Sequence, residues 1–449
     1  MKVFSKHSLA MAIALASTAP ATVFATNGMN MIGYGAKATA MGGAGVAYPQ
    51  DAMAVAYNPA SMTDVGEMRL DATLELFRPP RCVTHDPSLT LGKTDECSKD
   101  NLFPIPAIGA VMSNPATPMA LGMAIVGAGL GTNYAQSNGT FYDPIDAGPN
   151  FNAYHRVGVF LMQMQMLPSI AYKVDDNNSF GASLVIAMQT FRAFGLEAFA
   201  SPSIPIASDT GHLTNRGYDW SFGGGYRLGW FGSYFDKRFN VGVDYAPKVH
   251  MQRFNRYSGL FANHGEFDIP ENYTLGLAFK FTPKFAVAMD VERILWNQVP
   301  SIGHPGPVNT TDFNPLCPGP DTDPQCKLGG TSGMGFGWTN QTVYKLGFDY
   351  KYNKDVTLRA GLNYGKSPIP KDQVLFNMLA PATVEKHVTF GATFAQKDDS
   401  DITVTFMHAF KNTIEGPTAF RNSGTSGQGV NAAISMSQTS VSIAYGLKF

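Results

Sequence analysis

Four cysteines have the clearest chemical potential in this sequence: Cys82 with Cys97, and Cys317 with Cys326, form two locally spaced pairs. Paired thiols either oxidise to disulfides or bind a metal ion such as zinc. Four cysteines allow three connectivities, and the local one closes the shortest loops. We expect Cys82–Cys97 and Cys317–Cys326 disulfides and no metal site.

Catalytic patterns are absent from the chain. No Gly-x-Ser-x-Gly segment, which would present a nucleophilic serine for acyl transfer, occurs anywhere in the sequence. His155, His212 and His264 fall in predicted loops without partners at useful spacing. We therefore predict no catalytic residue and no cofactor, although barrel enzymes such as lipases and proteases need not carry this motif.

The first residues indicate export. Lys2 and Lys6 precede an apolar run from Leu9 to Ala16, and small residues lead to Ala25. This order is typical of a secretory signal peptide, residues 1–25, and the run is too short for a spanning helix. An exported chain meets an oxidising compartment, which favours the disulfides.

Composition narrows the class of protein. The formal net charge is -1 and no basic tract occurs. Nucleic-acid binding requires a basic surface, so this class of protein is excluded. Hydrophobic residues make up 44% and charged residues 15%, with 46 Gly, 31 Phe and 18 Tyr. Beyond residue 25 no apolar stretch reaches the roughly 18 residues of a spanning helix. Many short amphipathic strands with aromatic rims fit these values.

Alternation of apolar and polar residues runs from about Glu67 to the end. Phe285, Val287, Met289 and Val291 share one face of such a run, and Asp290 lies on the other. Each run is bounded by turn residues, as expected for strands. Polar residues on the second face, which would be unfavourable in an apolar core, suit a water-accessible or plugged lumen.

The connections fall into two lengths. Short links occur near 114–118, 175–178, 282–284, 353–355 and 397–400, and long ones near 79–101, 135–155, 195–217, 251–270, 297–341, 367–385 and 412–436. Short turns on one side and long loops on the other are typical of outer-membrane barrels. We predict an all-β fold: a transmembrane antiparallel β-barrel of about fourteen strands, residues 65–449.

The end of the chain supports this. Val441, Ile443, Tyr445, Leu447 and Phe449 form one apolar row. An edge strand of a soluble protein would expose that row to water. A terminal aromatic residue after such a row resembles the assembly signal of outer-membrane barrels, so we expect the barrel assembly machinery as a partner.

Residues 26–64 differ, being rich in Gly, Ala and Met without strand alternation. Some forty residues can scarcely hold a core of their own. We therefore predict a plug inside the barrel.

Family resemblance rests on this segment. Residues 25–45, ATNGMNMIGYGAKATAMGGAG, lead through Asp51 to Asn58-Pro59-Ala60, and Thr132-Asn133-Tyr134 lies in the third predicted strand. The whole resembles the FadL/TodX family of outer-membrane transporters for long-chain fatty acids and aromatic hydrocarbons. The resemblance implies a fourteen-stranded barrel closed by an N-terminal hatch, with Asn58, Pro59 and Ala60 as its motif.

The resemblance also implies a route. An inward kink in the third strand, at Thr132, Asn133 and Tyr134, opens the wall so that a hydrophobic substrate passes sideways into the membrane by passive diffusion. Ala135 stands where the fatty-acid transporter has Gly, which bears on the size of the opening. Arg192, at the end of the fifth strand, either holds a substrate carboxylate or faces lipopolysaccharide and water at the rim.

We therefore expect a monomeric, multi-pass protein of the bacterial outer membrane that takes up fatty acids or hydrocarbons and contacts membrane lipid and lipopolysaccharide. A general porin for small polar solutes and a barrel enzyme are the alternatives. Use of the loops as a receptor is compatible with either.

Overall fold

The computed structural model describes residues 27–66, 68–85, 94–113, 117–135, 156–200, 206–307, 323–397, 399–421 and 429–449. The predicted signal peptide, residues 1–25, and Cys317 lie outside these residues.

Fourteen long strands, numbered β1 to β14 in chain order, follow one another through the described residues. Their bounds are Met68–Arg78 (β1), Phe103–Ser113 (β2), Met119–Gly131 (β3), Arg156–Lys173 (β4), Asn178–Phe194 (β5), Asp219–Tyr234 (β6), Phe239–Ala246 (β7), Asn272–Thr282 (β8), Phe285–Ile294 (β9), Gln341–Lys351 (β10), Val356–Gly365 (β11), Lys386–Ala395 (β12), Ser400–Arg421 (β13) and Gly429–Lys448 (β14).

Each of these strands pairs antiparallel with the next, and β1 pairs with β14 from Arg69↔Lys448 to Arg78↔Thr439. The fourteen strands therefore close into a barrel, which confirms the predicted fold class and strand count. Closure matters because an open edge would leave backbone donors and acceptors unpaired in lipid.

Four short strands, Arg81–His85, Thr94–Cys97, Tyr134–Ala135 and His250–Met251, extend the wall on the long-loop side. The first two lie within the predicted loop 79–101. The predicted loop 412–436 is wrong at both ends, because β13 runs to Arg421 and β14 begins at Gly429. The pairing of Ile414 with Ile434 shows that these residues continue the hairpin beyond the barrel.

Alternation places polar residues inside and apolar residues outside. Asp290 in β9 is fully buried, whereas its neighbours Met289 and Val291 are exposed. The predicted row of β14 is likewise exposed at Val441, Ile443 and Tyr445. Within the described residues, no helix has the length and apolar character needed to cross a bilayer.

The helices are short. Their bounds are Ala36–Ala40, Ala262–Gly265, Pro300–Gly303 and Val374–Asn377 for α-helices, and Ala52–Ala56, Pro59–Asp64, Glu197–Ala200, Thr210–His212, Asn255–Tyr257, Trp296–Gln298, Pro324–Cys326 and Lys371–Gln373 for 3-10 helices. The first α-helix and the first two 3-10 helices belong to residues 27–65, called the N-terminal segment below.

Inward-facing side chains of the strands hold the N-terminal segment. Asp290 accepts hydrogen bonds from the backbone N–H groups of Gly45 (2.8 Å) and Val46 (3.1 Å). Thr405 Oγ1 donates to the carbonyl of Ala36 at 2.8 Å. Backbone groups that cannot pair within such short helices are satisfied by the barrel instead.

One buried ionic network joins the segment to the wall. Lys37 Nζ lies 2.8 Å from Asp401 in β13, and Arg69 in β1 lies 2.7 Å from both Asp401 and Asp71. Gly446 of β14 pairs with Asp71 on one side and Asp401 on the other. A Cβ at this position would come within 2.4 Å of Arg69, so the network needs a glycine there.

Candidate functional site

An apolar cavity of about 450 Å³, called the outer cavity, lies under the long loops. Val159 of β4 and Phe191 of β5 contribute from the wall, and Phe199, Phe261 and other loop residues cover it. Rings of Phe191 and Phe261 lie 4.6 Å apart. These buried rings form a surface suited to a hydrophobic molecule.

A second apolar cavity of about 310 Å³, the inner cavity, lies deeper against the N-terminal segment. Leu379 lines both cavities, so this residue stands between them. Gly28 at the start of the segment has φ +65°, and a Cβ there would come within 2.5 Å of the Trp296 ring. Close packing of this glycine brings Met29 to the cavity wall.

Beside the inner cavity, the ladder between β2 and β3 is incomplete. The two strands pair from Ser113↔Ala120 only as far as Ile108↔Ile125. Beyond that point β2 continues to pair with β1 as far as Phe103, and β3 continues to pair with β4 as far as Gly131. The unpaired stretch, residues 103–107 of β2 facing 126–131 of β3, is called the seam. Five strand residues make it about 17 Å long.

Apolar groups lie on both sides of the seam. Phe103, Ile105 and Ala128 form a buried cluster on the inside with Met31 and Ile32 of the N-terminal segment. On the outside, Leu76 of β1 pairs with Pro104 and is 48% exposed. The seam therefore separates an apolar interior from an apolar outer surface.

The predicted kink residues lie at the end of the seam. The strand β3 ends at Gly131, but contact with β4 goes on: the Thr132 N–H donates to the carbonyl of Val159 at 2.8 Å, and Tyr134 pairs with Val157. Thr132 Oγ1 donates to the carbonyl of Leu379 at 2.8 Å, and Tyr134 donates from its hydroxyl to the carbonyl of Met378 at 3.0 Å. Thr132 and Tyr134 thus hold the backbone at Met378 and Leu379, beside the residue that lines both cavities.

A disulfide-closed hairpin supports Asn133. Cys82 and Cys97 are bonded, and Ser98 Oγ accepts a hydrogen bond from the Asn133 N–H at 3.1 Å. Asn133 Nδ2 donates to Asp100 Oδ1 at 3.0 Å. Cys326 is also disulfide-bonded, whereas its predicted partner Cys317 is outside the described residues.

Arg81, at the start of that hairpin, lines the inner cavity and is only 3% exposed. Its guanidinium donates to Ser98 Oγ and to the carbonyl of Asp100, and lies 5.6 Å from the Phe103 ring centre. Burial lowers the pKa of Arg81 to about 10, so the group remains charged at neutral pH. Sequence reasoning missed this residue.

Arg192 lies elsewhere. Its guanidinium stacks on Phe194 (4.9 Å) and Tyr218 (5.5 Å), while its neighbour Phe191 lines the outer cavity. Successive residues of a strand point to opposite faces. A carboxylate-binding role inside the cavity therefore finds no support, and the alternative of a rim cation fits the geometry.

The Asn-Pro-Ala triplet anchors the N-terminal segment to β5 and β6. Asn58 caps the helix Pro59–Asp64 by accepting from the Ala60 N–H at 3.0 Å, and Nδ2 donates to the carbonyls of Val46 and Trp230. Gly229 of β6 leaves room for this contact, because a Cβ there would come within 2.1 Å of Asn58 Oδ1. The triplet positions the segment and touches neither apolar cavity.

A third cavity, of about 710 Å³, is polar and lies against β4 to β10; it is called the polar cavity. Two ion pairs line it, Arg227 with Asp244 (3.3 Å) and Lys345 with Glu292 (2.9 Å). Asp244 Oδ1 is buried without a hydrogen-bond partner from the described residues. No group of three or more His, Cys, Asp or Glu in the described part of the chain could hold a metal ion.

A closed barrel with an internal segment and two adjacent apolar cavities is the architecture of a membrane channel. A family model described as "Outer membrane protein transport protein (OMPP1/FadL/TodX)" matches residues 12–449, and the chain belongs to this family of outer-membrane proteins. The predicted family and location are thereby confirmed. The family and its structural neighbours are transport channels.

Solved structures share the fold. The Pseudomonas putida toluene transporter TodX superimposes with a TM-score of 0.64 at 20% identity, covering 93% of this chain and 99% of that one. The Ralstonia pickettii toluene transporter TbuX gives 0.61 at 19% identity, covering 94% and 99%. A Pseudomonas aeruginosa FadL homologue gives 0.65 at 15%, covering 93% and 98%. At these identities the likeness concerns the fold.

A local match covers 39 residues at 62% identity with an "Uncharacterized protein in phosphoenolpyruvate carboxykinase gene 5'region" of Chlorobium limicola. It involves 9% of this chain and 19% of that protein, so the chain spans about a fifth of the length of this relative.

Proposed function

We propose that this protein carries hydrophobic small molecules, either long-chain fatty acids or aromatic and aliphatic hydrocarbons, across the outer membrane by passive diffusion with lateral release through the seam. The proposal rests on the seam, because the seam lies between an apolar cavity and an apolar outer surface. Toluene transporters and a FadL homologue share the fold, which agrees with such a substrate class.

The route follows from hydration energies. A solute that enters the outer cavity, passes Leu379 into the inner cavity and leaves through the seam stays among apolar groups throughout. Returning it to water would cost about 0.8 kcal/mol for each methylene group. Lateral release therefore delivers the solute where its free energy is lowest, and no energy source is required.

The N-terminal segment acts as the hatch in this proposal. Its backbone is tied to inward residues of the wall such as Asp290 and Thr405, and its residues Met31 and Ile32 back the seam. It would block a straight passage to the periplasm and direct the substrate sideways. The proposed domains are thus signal peptide 1–25, hatch 26–64 and barrel 65–449.

Arg81 bears on the choice between acids and neutral hydrocarbons. A buried guanidinium at the wall of an apolar cavity offers charge-assisted hydrogen bonds to a carboxylate. A fatty acid would place its head group there and its chain toward Met29 and Leu379. Arg81→Leu should therefore weaken binding of a fatty acid more than binding of an alkane of equal length.

Lipid, lipopolysaccharide and the barrel assembly machinery remain the expected partners of a protein acting as a monomer.

Closing the seam tests the route. Ile105 and Ala128 belong to one buried cluster and would oppose each other if the β2–β3 register continued. Ile105→Cys with Ala128→Cys, once crosslinked, should abolish uptake of a radiolabelled fatty acid or toluene by cells, while leaving the barrel assembled.

Each single cysteine variant, treated in the same way, is the matched control, and reduction of the crosslink should restore uptake. Uptake at the parental rate through a crosslinked barrel would show that the substrate does not leave through the seam.

A further inference from the structure

The β2 edge of the seam contains two prolines. Ile108 and Ile125 are the last paired residues of β2 and β3, and the next residues of β2 with the same orientation are Pro106 and Pro104. Proline has no N–H and cannot donate to a ladder. The position of these two residues therefore coincides with the loss of pairing.

Strand geometry shows which way the two nitrogens face. In an antiparallel strand, alternate residues direct their N–H groups toward the same neighbour. The unbroken β1–β2 ladder includes Leu76↔Pro104 and Leu74↔Pro106, so its hydrogen bonds must come from Phe103, Ile105 and Ala107. Pro104 and Pro106 consequently face β3, where donors would be needed to close the seam.

Glycines face the prolines across the seam. Continuing the register of Ile108↔Ile125 would place Pro106 opposite Gly127 and Pro104 opposite Gly129. Glycine loses more conformational freedom on ordering than other residues and adds no side chain to cross-strand packing. Both edges of the seam are thus poorly suited to pairing with each other.

The same wall contains an internal comparison. Pro168 in β4 interrupts the β4–β5 ladder between Met166↔Ile186 and Ser169↔Ser183, after which pairing resumes. One proline therefore removes two pairs, and the ladder recovers. At the seam, two prolines occupy alternate positions at the end of a ladder and would lie opposite glycines. No residue remains there at which strand pairing could resume.

We propose that Pro104 and Pro106 hold the lateral exit open by withholding the two backbone donors that would close β2 onto β3. This inference rests on the proposed function, for which the seam is the exit. The prolines act as positioning residues, because they shape the opening without any need to bind the substrate.

The test is Pro104→Val with Pro106→Val, which supplies both donors and keeps lipid-facing apolar side chains. Amide hydrogen exchange of residues 126–131 in the assembled barrel should slow. Fatty acid or toluene delivery should fall about thirtyfold, the shift that two recovered hydrogen bonds of ordinary net strength give. Pro168→Val, which mends the other ladder, is the control and should leave delivery unchanged.

The outcomes are separable. Unchanged exchange would overturn the inference, whatever happens to delivery. Slower exchange with delivery at the parental rate would confirm the prolines as the cause of the seam but overturn lateral release. If the double variant does not assemble, Pro106→Val alone extends the ladder by one donor next to Ile108 and should show the same two effects at smaller size.

Discussion

The inner cavity and the polar cavity lie on opposite sides of one short stretch of backbone, yet they differ in chemistry. Gly28 and Met29 line the apolar inner cavity of about 310 Å³, and residues 30–34 line the polar cavity of about 710 Å³. Buried ion pairs such as Lys345 with Glu292 require a polar environment, whereas the inner cavity offers mainly apolar side chains. Transfer of eight methylenes between them would cost about 6 kcal/mol. Size alone therefore does not identify the substrate compartment.

The largest effect is expected when the N-terminal segment, which contributes to the walls of both cavities, is removed. Deleting residues 27–63 should convert a nearly closed barrel into a conducting pore, because most of the lumen wall is polar and would fill with water. Single-channel conductance in planar bilayers measures this, with heat-modifiable gel migration as the check on assembly. An assembled barrel with unchanged conductance would mean that the segment is not the barrier.

An intermediate effect is expected in the polar cavity. Lys345→Met should lower the free energy of unfolding by about 3 to 5 kcal/mol, because it leaves Glu292 buried without its partner. Lys345→Met with Glu292→Leu should recover most of this loss. Denaturant unfolding in detergent measures both variants, and a single variant as stable as the parent would show that water in the cavity compensates the charge.

The smallest effect should come from the hairpin beside the inner cavity. Replacing Cys82 and Cys97 by serine frees a loop whose ends are 15 residues apart in sequence, while the barrel ladder is unchanged. Exchange of the Asn133 amide, which donates to Ser98, should become faster at an unchanged unfolding midpoint. A lowered midpoint would show that the disulfide stabilises the barrel itself.

Much of the barrel could be predicted from the sequence because alternation reports directly which face of a strand meets lipid. It reports nothing about which loops fold back onto the lumen. Arg81 reaches the inner cavity only because its short strand pairs with β14 at Met436, a contact between residues far apart in sequence. Arg192 has the same charge, but it directly follows Phe191 in β5 and therefore points to the opposite face of the strand.

Pro104 and Pro106 stand in the sequence as two prolines within an alternating run. A proline in a predicted central strand argues for an edge, so this pair is a sequence signal for an interrupted ladder. The opposite error concerned residues 412–436, where polar residues suggested a loop although one strand runs to Arg421 and the next begins at Gly429. Outside lipid, the alternation that marks a strand weakens because both faces meet water.

The network around Gly446 imposes an order of events on biogenesis. Lys37 binds Asp401 of β13, and the Ala52 N–H binds Asp71 of β1 at 2.8 Å, yet these two strands become neighbours across β14 only when the ring closes. Before closure, β1 carries one half of the docking site and β13 carries the other half. The N-terminal segment can therefore be fully seated only in a closed ring, so that its complete docking site is itself a product of ring closure.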